Sequence, residues 1–331
     1  MSFRLASLGL LPLFAYITYR LDMAETVRAF FTGPGSYSRI FATVVLALNW
    51  KSLPFAWTVR ICHSMILHLL IRPFHTHTPD KLFHPVICES HASITEIDYR
   101  FHKSNSTYLA DVDIARSHLA SHLLARSGHL AYRNAKTHLV MDPLDPSRPA
   151  TGSFNIGLGA VYCSWKREIK PYQKYEMWSR IIAWDRKWLY IMIHFVEKGT
   201  VKPRSWDLGN YGPTRTTPGE SRDWEKKVYA TALSNYIFKL GRLTIHPAIM
   251  LQGSGLLPER PCGWTSETSE TAPEADGDGP ADAELERGSW QWIERERKRG
   301  LRYAEHLKAM QDLHGQFDSG EDGAIGRFPL G

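Results

Sequence analysis

The chain has 331 residues, 43% of them hydrophobic and 12% aromatic, which is enough for a large core and argues against wholesale disorder. Forty Lys and Arg against 34 Asp and Glu leave a formal charge of +6, a mild excess that suits a phosphate-bearing ligand or an anionic lipid surface. No zinc-finger spacing or aromatic RNA-binding strand accompanies it, so no nucleic-acid partner is expected; four scattered cysteines (Cys62, Cys88, Cys163, Cys262) without a C-x-x-C pair exclude the usual zinc and dithiol sites.

Residues 5–19 form an uncharged apolar run of fifteen, bounded by Arg4 and Arg20 and interrupted by Pro12. The run is shorter than the ~20 residues that cross a bilayer comfortably, although flanking arginines can snorkel. A second apolar region, 40–59, carries Lys51 and Pro54, and 61–70 follows between Arg60 and Arg72. Residues 1–80 are therefore expected to be apolar helices associating with a membrane, the first segment as anchor and the second at the interface. Helices packed on a catalytic domain are the alternative. A cleaved leader fits less well, because no small-x-small site cleanly follows the apolar run.

Near residue 85 the texture changes to strand, and 84–97, rich in Val, Ile and Thr, is expected to end at Asp98. Tyr108, Val112, Ala115, Leu119 and Leu123 then recur at steps of four, three, four and four. They mark one face of a helix over 107–127, with Asn105 or Ser106 to cap it and Gly128 to end it. Strands are predicted near 130–141, 160–169, 175–184 and 188–197, with Asp185-Arg186-Lys187 as a tight hairpin link, and a further one at 228–240, where the Val, Tyr, Ile and Phe content allows either strand or helix. Residues 201–224, with three prolines and three glycines, read as a surface insertion. Residues 265–286 hold eight acidic residues and no basic one, a linker unable to bury itself. Residues 287–313, with Trp290, Ile293 and Arg297, form a basic helix expected to dock back on the domain.

The expected organisation is apolar helices over 1–80, a catalytic domain over 81–260, a linker over 261–286, and a basic helix and tail over 287–331. One long helix after a first strand, followed by antiparallel strands, is an α+β sheet wrapped around a central helix.

The stretch Asp98-Tyr99-Arg100-Phe101-His102-Lys103-Ser104-Asn105-Ser106-Thr107-Tyr108 places a carboxylate just before a small polar cluster that opens the long helix. Unsatisfied N–H groups at a helix N-terminus can stabilise an oxyanion while a neighbouring carboxylate attacks a carbonyl carbon or activates water. A lone Asp in such a place more often caps the helix or braces the loop, here through Arg100 or His102.

This stretch resembles the hotdog-fold thioesterases of the 4-hydroxybenzoyl-CoA type, whose pattern is D-x-x-x-H-x-N-N-x-x-Y. Asp98, His102, Asn105 and Tyr108 match it, and Ser104 replaces the first Asn. Downstream, Trp165-Lys-Arg-Glu-Ile169-Lys-Pro171-Tyr-Gln-Lys-Tyr175-Glu176, then Arg180 to Asp185, Lys187 to Tyr190 and Phe195-Val196, are similar to the thioesterase superfamily member 6 branch. They are also similar to fungal thioesterase-like proteins of lipopeptide and polyketide pathways. The likeness runs over roughly residues 50–257.

The resemblance implies a hotdog fold and hydrolysis of a fatty-acyl or polyketide-type thioester of coenzyme A or a carrier protein. It makes Asp98 the nucleophile or general base and the Asn105 backbone N–H the oxyanion donor. His102 and the Asn105 side chain shape the loop, and Ser104 and Tyr108 stand at the substrate, Tyr108 anchoring the first helical turn. It further implies a homodimer with the site between subunits, no cofactor and no metal. The location expected from this and the apolar N-terminus is a membrane, such as the endoplasmic reticulum, with the active domain in the cytoplasm. A non-catalytic acyl-binding scaffold and a hotdog hydratase or dehydratase are the competing functions.

Other signals are weaker. His118 and His122 lie four apart on the helix but lack the H-E-x-x-H glutamate, so a solvated or dimer-facing pair is expected rather than a metal site. Gly253-Ser254-Gly255 lacks nucleophile-elbow spacing and reads as a turn, and 152–159 reads as a glycine loop without phosphate-cradle spacing. Lys166-Arg167 and Arg186-Lys187 can meet coenzyme A phosphates, a solvated sheet rim being the blander role.

Overall fold

The computed structural model describes residues 23–72, 77–201, 203, 223–265 and 285–316. The apolar run 5–19, most of the insertion expected at 201–224 and most of the acidic linker lie outside them. Contacts divide the chain into two units, Met1–Trp57 with Ser93–Glu96, and Thr58–Ala92 with Ile97–Gly331.

In the first unit, α1 (Met23–Thr32) and α2 (Ser36–Leu48) form a hairpin through Gly33-Pro34-Gly35, with Gly35 in the left-handed region at φ 77°. Arg39 is the only charged residue between 29 and 50. Its guanidinium donates to the Ala29 (2.9 Å), Phe30 (3.0 Å), Gly33 (3.4 Å) and Pro34 (2.8 Å) carbonyls, filling acceptors left open at the end of α1. No residue of α2 is buried. The apolar region 40–59 is not one helix: α2 stops before Asn49, whose Nδ2 turns back to the Val45 carbonyl at 2.8 Å. Next comes a 3-10 turn, Trp50–Ser52, in which Lys51 makes a buried ion pair of 2.9 Å with Glu96. Among the described residues, no helix is long and apolar enough to cross a membrane.

The second unit takes up the chain within α3 (Ala56–Ile66) and its π-helical continuation, Leu67–Ile71. Its centre is a six-stranded antiparallel sheet made of β1 (Val86–His91), β2 (Phe154–Trp165), β3 (Lys174–Trp184), β4 (Leu189–Glu197), β5 (Val228–Leu240) and β6 (Leu243–Ile245). Strand order is β1-β3-β4-β5-β2, with β6 on β5. The long strands form because β-branched and aromatic residues fill the pleats, and β4 is buried on both faces at most positions. Asp185 makes the β3–β4 hairpin, its Oδ1 accepting from the Lys187 (2.7 Å) and Trp188 (2.6 Å) amides. At the β2–β5 irregularity between Leu158 and Ala160, a Cβ on Gly159 would meet the Trp188 ring at 2.5 Å, which only glycine avoids.

The central helix α4 (Thr107–Leu123) buries Tyr108, Val112, Ala115, Leu119 and Leu123, the five residues of the sequence pattern, in one core with Met177, Ile193, Phe195 and Tyr229 of the sheet. A curled antiparallel sheet around one long helix is the hotdog fold. All four cysteines are free.

Several boundaries differ from expectation. The first strand ends at His91, well before Asp98. The long helix breaks at Leu124, and Gly128 lies inside the next helix, α5 (Ala125–Tyr132). Ser254, just after α7 (Pro247–Gly253), accepts from the Ser127 amide at the start of α5 at 3.3 Å, so the turn at 253–255 serves the break. No strand occupies 130–141: α5 and α6 (Asn134–Thr137) take most of it. The glycine stretch 152–159 is not a loop throughout, because β2 begins at Phe154. The basic helix, α8 (Trp290–Gln311), docks on β3: Ile293 is fully buried and Arg297 donates to the Trp184 carbonyl at 2.9 Å.

Candidate active site

Residues 97–103 form a narrow hairpin of their own. Ile97 bridges Lys103, the Asp98 amide donates to the His102 carbonyl at 3.0 Å, and the Phe101 amide donates to the Asp98 carbonyl at 3.0 Å. Closing a three-residue tip this tightly needs a left-handed residue, and Phe101 supplies it at φ 61° although it has a Cβ. Strain of that kind, of order 1–3 kcal/mol, is retained where surroundings impose it and is common at functional sites. Asp98 thus stands at the base of a turn rather than at the end of a strand. The tip is open, with Tyr99 89% and Phe101 80% exposed.

The Asp98 carboxylate is half-buried and divides its two oxygens. Oδ1 accepts from the Arg100 amide at 2.9 Å, whereas Oδ2 faces His102 Nδ1 at 3.6 Å. On the other side of the same ring, Nε2 lies 3.6 Å from Oε1 of Glu168, an exposed residue after β2. His102 therefore sits between two carboxylates. Glu168 carried no sequence signal beyond its place in the Trp165–Glu176 block.

Five residues after His102 the chain enters α4. The Ser104 carbonyl accepts from the Thr107 amide (3.0 Å) and the Thr107 hydroxyl (2.7 Å), and the Ser104 and Ser106 hydroxyls are 3.1 Å apart. Ser106 occupies the cap position without a side-chain cap bond. Among the described residues, no hydrogen bond takes up the backbone N–H of Asn105 or Ser106, and Asn105 is exposed. Amides so placed at the positive end of a helix suit an anion. No bond joins Asp98 directly to Asn105 among the described residues.

Tyr108 turns inward. It is 1% exposed, its ring meets Phe195 edge-on at 5.0 Å and Trp165 at 6.2 Å, and burial raises its hydroxyl pKa. Beside it lies a polar core that the sequence did not reveal. Lys103 and Asp111 are both fully buried and paired at 3.0 Å, with the Tyr175 hydroxyl donating to the same Asp111 oxygen. In the sequence they look like two ordinary surface charges eight residues apart.

The remaining candidates play other parts. His118 and His122 are not a solvated pair: both are half-buried and pack against His68 and His77. No group of three donors able to hold a metal occurs among the described residues. Lys166 and Arg167 spend donors on the Glu225 (3.3 Å) and Lys226 (2.6 Å) carbonyls.

The profile of the Thioesterase-like superfamily matches residues 92–207, which contain the turn, α4 and strands β2 to β4. Thioesterase poxG of Penicillium oxalicum is 31% identical over 322 residues, covering 94% of this chain and 95% of that protein. Probable thioesterase atnL of Emericella nidulans is 31% identical, covering 92% and 93%. Probable thioesterase YBR096W of Saccharomyces cerevisiae is 31% identical, covering 67% and 81%. With identity at this level across nearly the whole of two relatives, the chain belongs to the Thioesterase-like superfamily and is a thioesterase of that family.

Proposed function

We propose that the protein hydrolyses a fatty-acyl or polyketide-type thioester of coenzyme A or a carrier protein at the turn and helix N-terminus formed by residues 98–106. The observation that carries this is the placement of His102 between Asp98 and Glu168, three and four residues before the Asn105 and Ser106 amides, which no hydrogen bond takes up among the described residues. The Asp98 carboxylate either takes a proton from the attacking water or attacks the carbonyl carbon itself. The oxyanion so formed is held by the Asn105 and Ser106 amides as the carbon–sulfur bond breaks. With water as nucleophile the proton taken by Asp98 passes to the leaving thiolate; with Asp98 as nucleophile water then cleaves the resulting anhydride to release the acid and restore the carboxylate. His102 orients the Asp98 oxygen not engaged by Arg100.

The reading includes a homodimer. β2 is an edge strand with Ile156, Leu158, Tyr162 and Trp165 each more than 40% exposed, an apolar edge suited to a second copy. It also includes contact with a membrane surface through the α1–α2 hairpin, where Phe31, Tyr37, Phe41, Leu46 and Leu48 are exposed and Arg39 has its donors satisfied by backbone.

The test incubates the full chain with a panel of acyl-CoAs and acyl-carrier-protein thioesters and follows free thiol. Asp98→Asn is expected to lower release by ~100-fold or more with the thermal midpoint unchanged. Tight acyl binding without release would make the protein a scaffold, and water addition to an enoyl thioester a hydratase. Flotation with liposomes checks the membrane contact, which fails if the chain stays with the soluble fraction.

A further inference from the structure

We propose that Lys103 and Asp111 are positioning residues, a buried ion pair that locks the Asp98–His102 turn onto α4 and sets where the carboxylate stands relative to the helix N-terminus. This rests on the reading of Asp98 as the reactive carboxylate. Both side chains have 0% exposure, with Lys103 Nζ 3.0 Å from Asp111 Oδ2. The ammonium lies 5.3 Å from the Tyr108 ring centre and 5.7 Å from that of Tyr175, two π-faces that favour a cation. The Tyr175 hydroxyl donates to Asp111 Oδ2, and the Arg60 guanidinium lies 3.4 Å from Oδ1. Asp111 is thus the point at which α3, the turn, α4 and β3 meet.

The pair is attached directly to the reactive turn. Lys103 follows His102, bridges Ile97 across the turn, and donates its amide to the Ile169 carbonyl at 2.8 Å, one residue from Glu168. A shift of Lys103 therefore moves both carboxylates that flank His102. Stability alone does not account for the arrangement. Taking two charges out of water is costly, and well-packed apolar residues in their place are often as stable or more so. What an ion pair adds is direction: it fixes one end of a strained turn to one position on a helix. A displacement of about 1 Å in a reacting group can cost ~100-fold in rate.

Breaking the pair at one end leaves an uncompensated buried charge, so Lys103→Met or Asp111→Asn alone can fail to fold. The deciding variant replaces the cluster with apolar groups: Lys103→Met, Asp111→Leu, Tyr175→Phe and Arg60→Met together, the last two removing a hydroxyl and a guanidinium left without their acceptor. Its thermal midpoint, thiol release from decanoyl-CoA and palmitoyl-CoA, and amide exchange over residues 98–103 are measured beside wild type. The expected result is a thermal midpoint close to or above that of wild type, KM within about 2-fold, kcat lower by ~30-fold or more, and faster exchange in the turn. Wild-type kcat with wild-type exchange overturns the proposal, and so does a variant that no longer folds, which makes the cluster structural. A wild-type protein that releases no thiol fails the thioesterase reading instead, and amide exchange then decides whether the pair positions the turn.

Discussion

His68 Nε2 lies 3.1 Å from His118 Nδ1, tying the π-helical end of α3 to the middle of α4. Three further histidines surround the pair: His63 is 6.4 Å from His118 between ring centres, His122 is 5.2 Å from His68, and His77 is 4.8 Å from His122. Burial lowers the His68 and His118 imidazoles to about 4, and the Arg72 and Arg60 charges act in the same direction.

This cluster makes stability depend on pH. In the unfolded chain a histidine titrates near 6.5. Between pH 6.5 and about 4 the unfolded state therefore binds more protons than the folded one, and acid favours unfolding. The contribution is complete above pH 6.5 and is lost as pH falls through that window. His194 and His246, also lowered to about 4 by burial, add to the same slope. The thermal midpoint is expected to hold from pH 7.5 to about pH 6.5 and then to fall steadily to pH 5. A His68→Gln/His118→Gln variant should show a shallower fall, and an equal fall in both proteins would remove these two residues from the account.

The His102–Glu168 contact differs from the His102–Asp98 contact in exposure: the Glu168 side chain is 67% exposed and that of Asp98 24%. An exposed pair at 3.6 Å is screened by salt and contributes little. Glu168→Gln is expected to lower kcat by less than about 5-fold, with 0.5 M salt bringing wild type down to the variant. His102→Gln should cost ~10-fold or more at any salt concentration. A Glu168→Gln loss as large as that of His102→Gln would mean that Glu168 meets the substrate directly.

Legibility of the sequence followed what each residue packs against. Strands β3, β4 and β5 are built from runs of Val, Ile, Tyr and Phe, so pattern and burial agree. The face of α4 was readable because five apolar residues keep helical spacing and all five are buried. The break at Leu124 was not readable, since what serves it is the Ser254 hydroxyl 127 positions away from Ser127. The motif announced Asp98, His102 and Asn105, but not the left-handed Phe101 that shapes the turn. Lys103 and Asp111 were invisible for a general reason: charged residues count as solvated until a partner is seen.

Asn134 accounts for the misread segment 130–141. Fully buried, its Nδ2 donates to the Val140 (2.7 Å) and Ala150 (2.8 Å) carbonyls, and its Oδ1 accepts from the Val140 amide (2.8 Å). One side chain thus does for this backbone what a neighbouring strand would have done. Asn134→Ala takes the partner from the Val140 N–H and the Ala150 carbonyl, whereas the Val140 carbonyl keeps the Ala150 amide at 2.9 Å; the cost is about 1–3 kcal/mol for each group left unsatisfied. The variant is expected to lose about 5–10 °C in thermal midpoint while an acyl-CoA still reaches the same KM. A midpoint within 1 °C of wild type would show that water replaces the lost bonds, about the least costly outcome open to them.

Gly300, in the middle of α8, sets two effects against each other. Alanine is the better helix former by ~1 kcal/mol, so on an exposed helix the exchange would stabilise. Here the helix lies on β3, and a Cβ at this position would press on the Ile182 carbonyl oxygen while standing 2.7 Å from its carbon and 3.0 Å from the Ala183 Cβ. The atoms it meets are backbone in a central strand, which cannot swing aside as a flexible side chain would. Overpacking of this kind costs about 1–3 kcal/mol, more than the propensity gain. The clash also pulls Arg297 away from the Trp184 carbonyl, which it reaches at 2.9 Å one turn earlier in the helix. Gly300→Ala is therefore expected to lower the thermal midpoint by several degrees and to speed amide exchange along α8 before the sheet. Should the midpoint rise instead, the helix would be only loosely seated on β3, and its docking would contribute nothing to the stability of the fold.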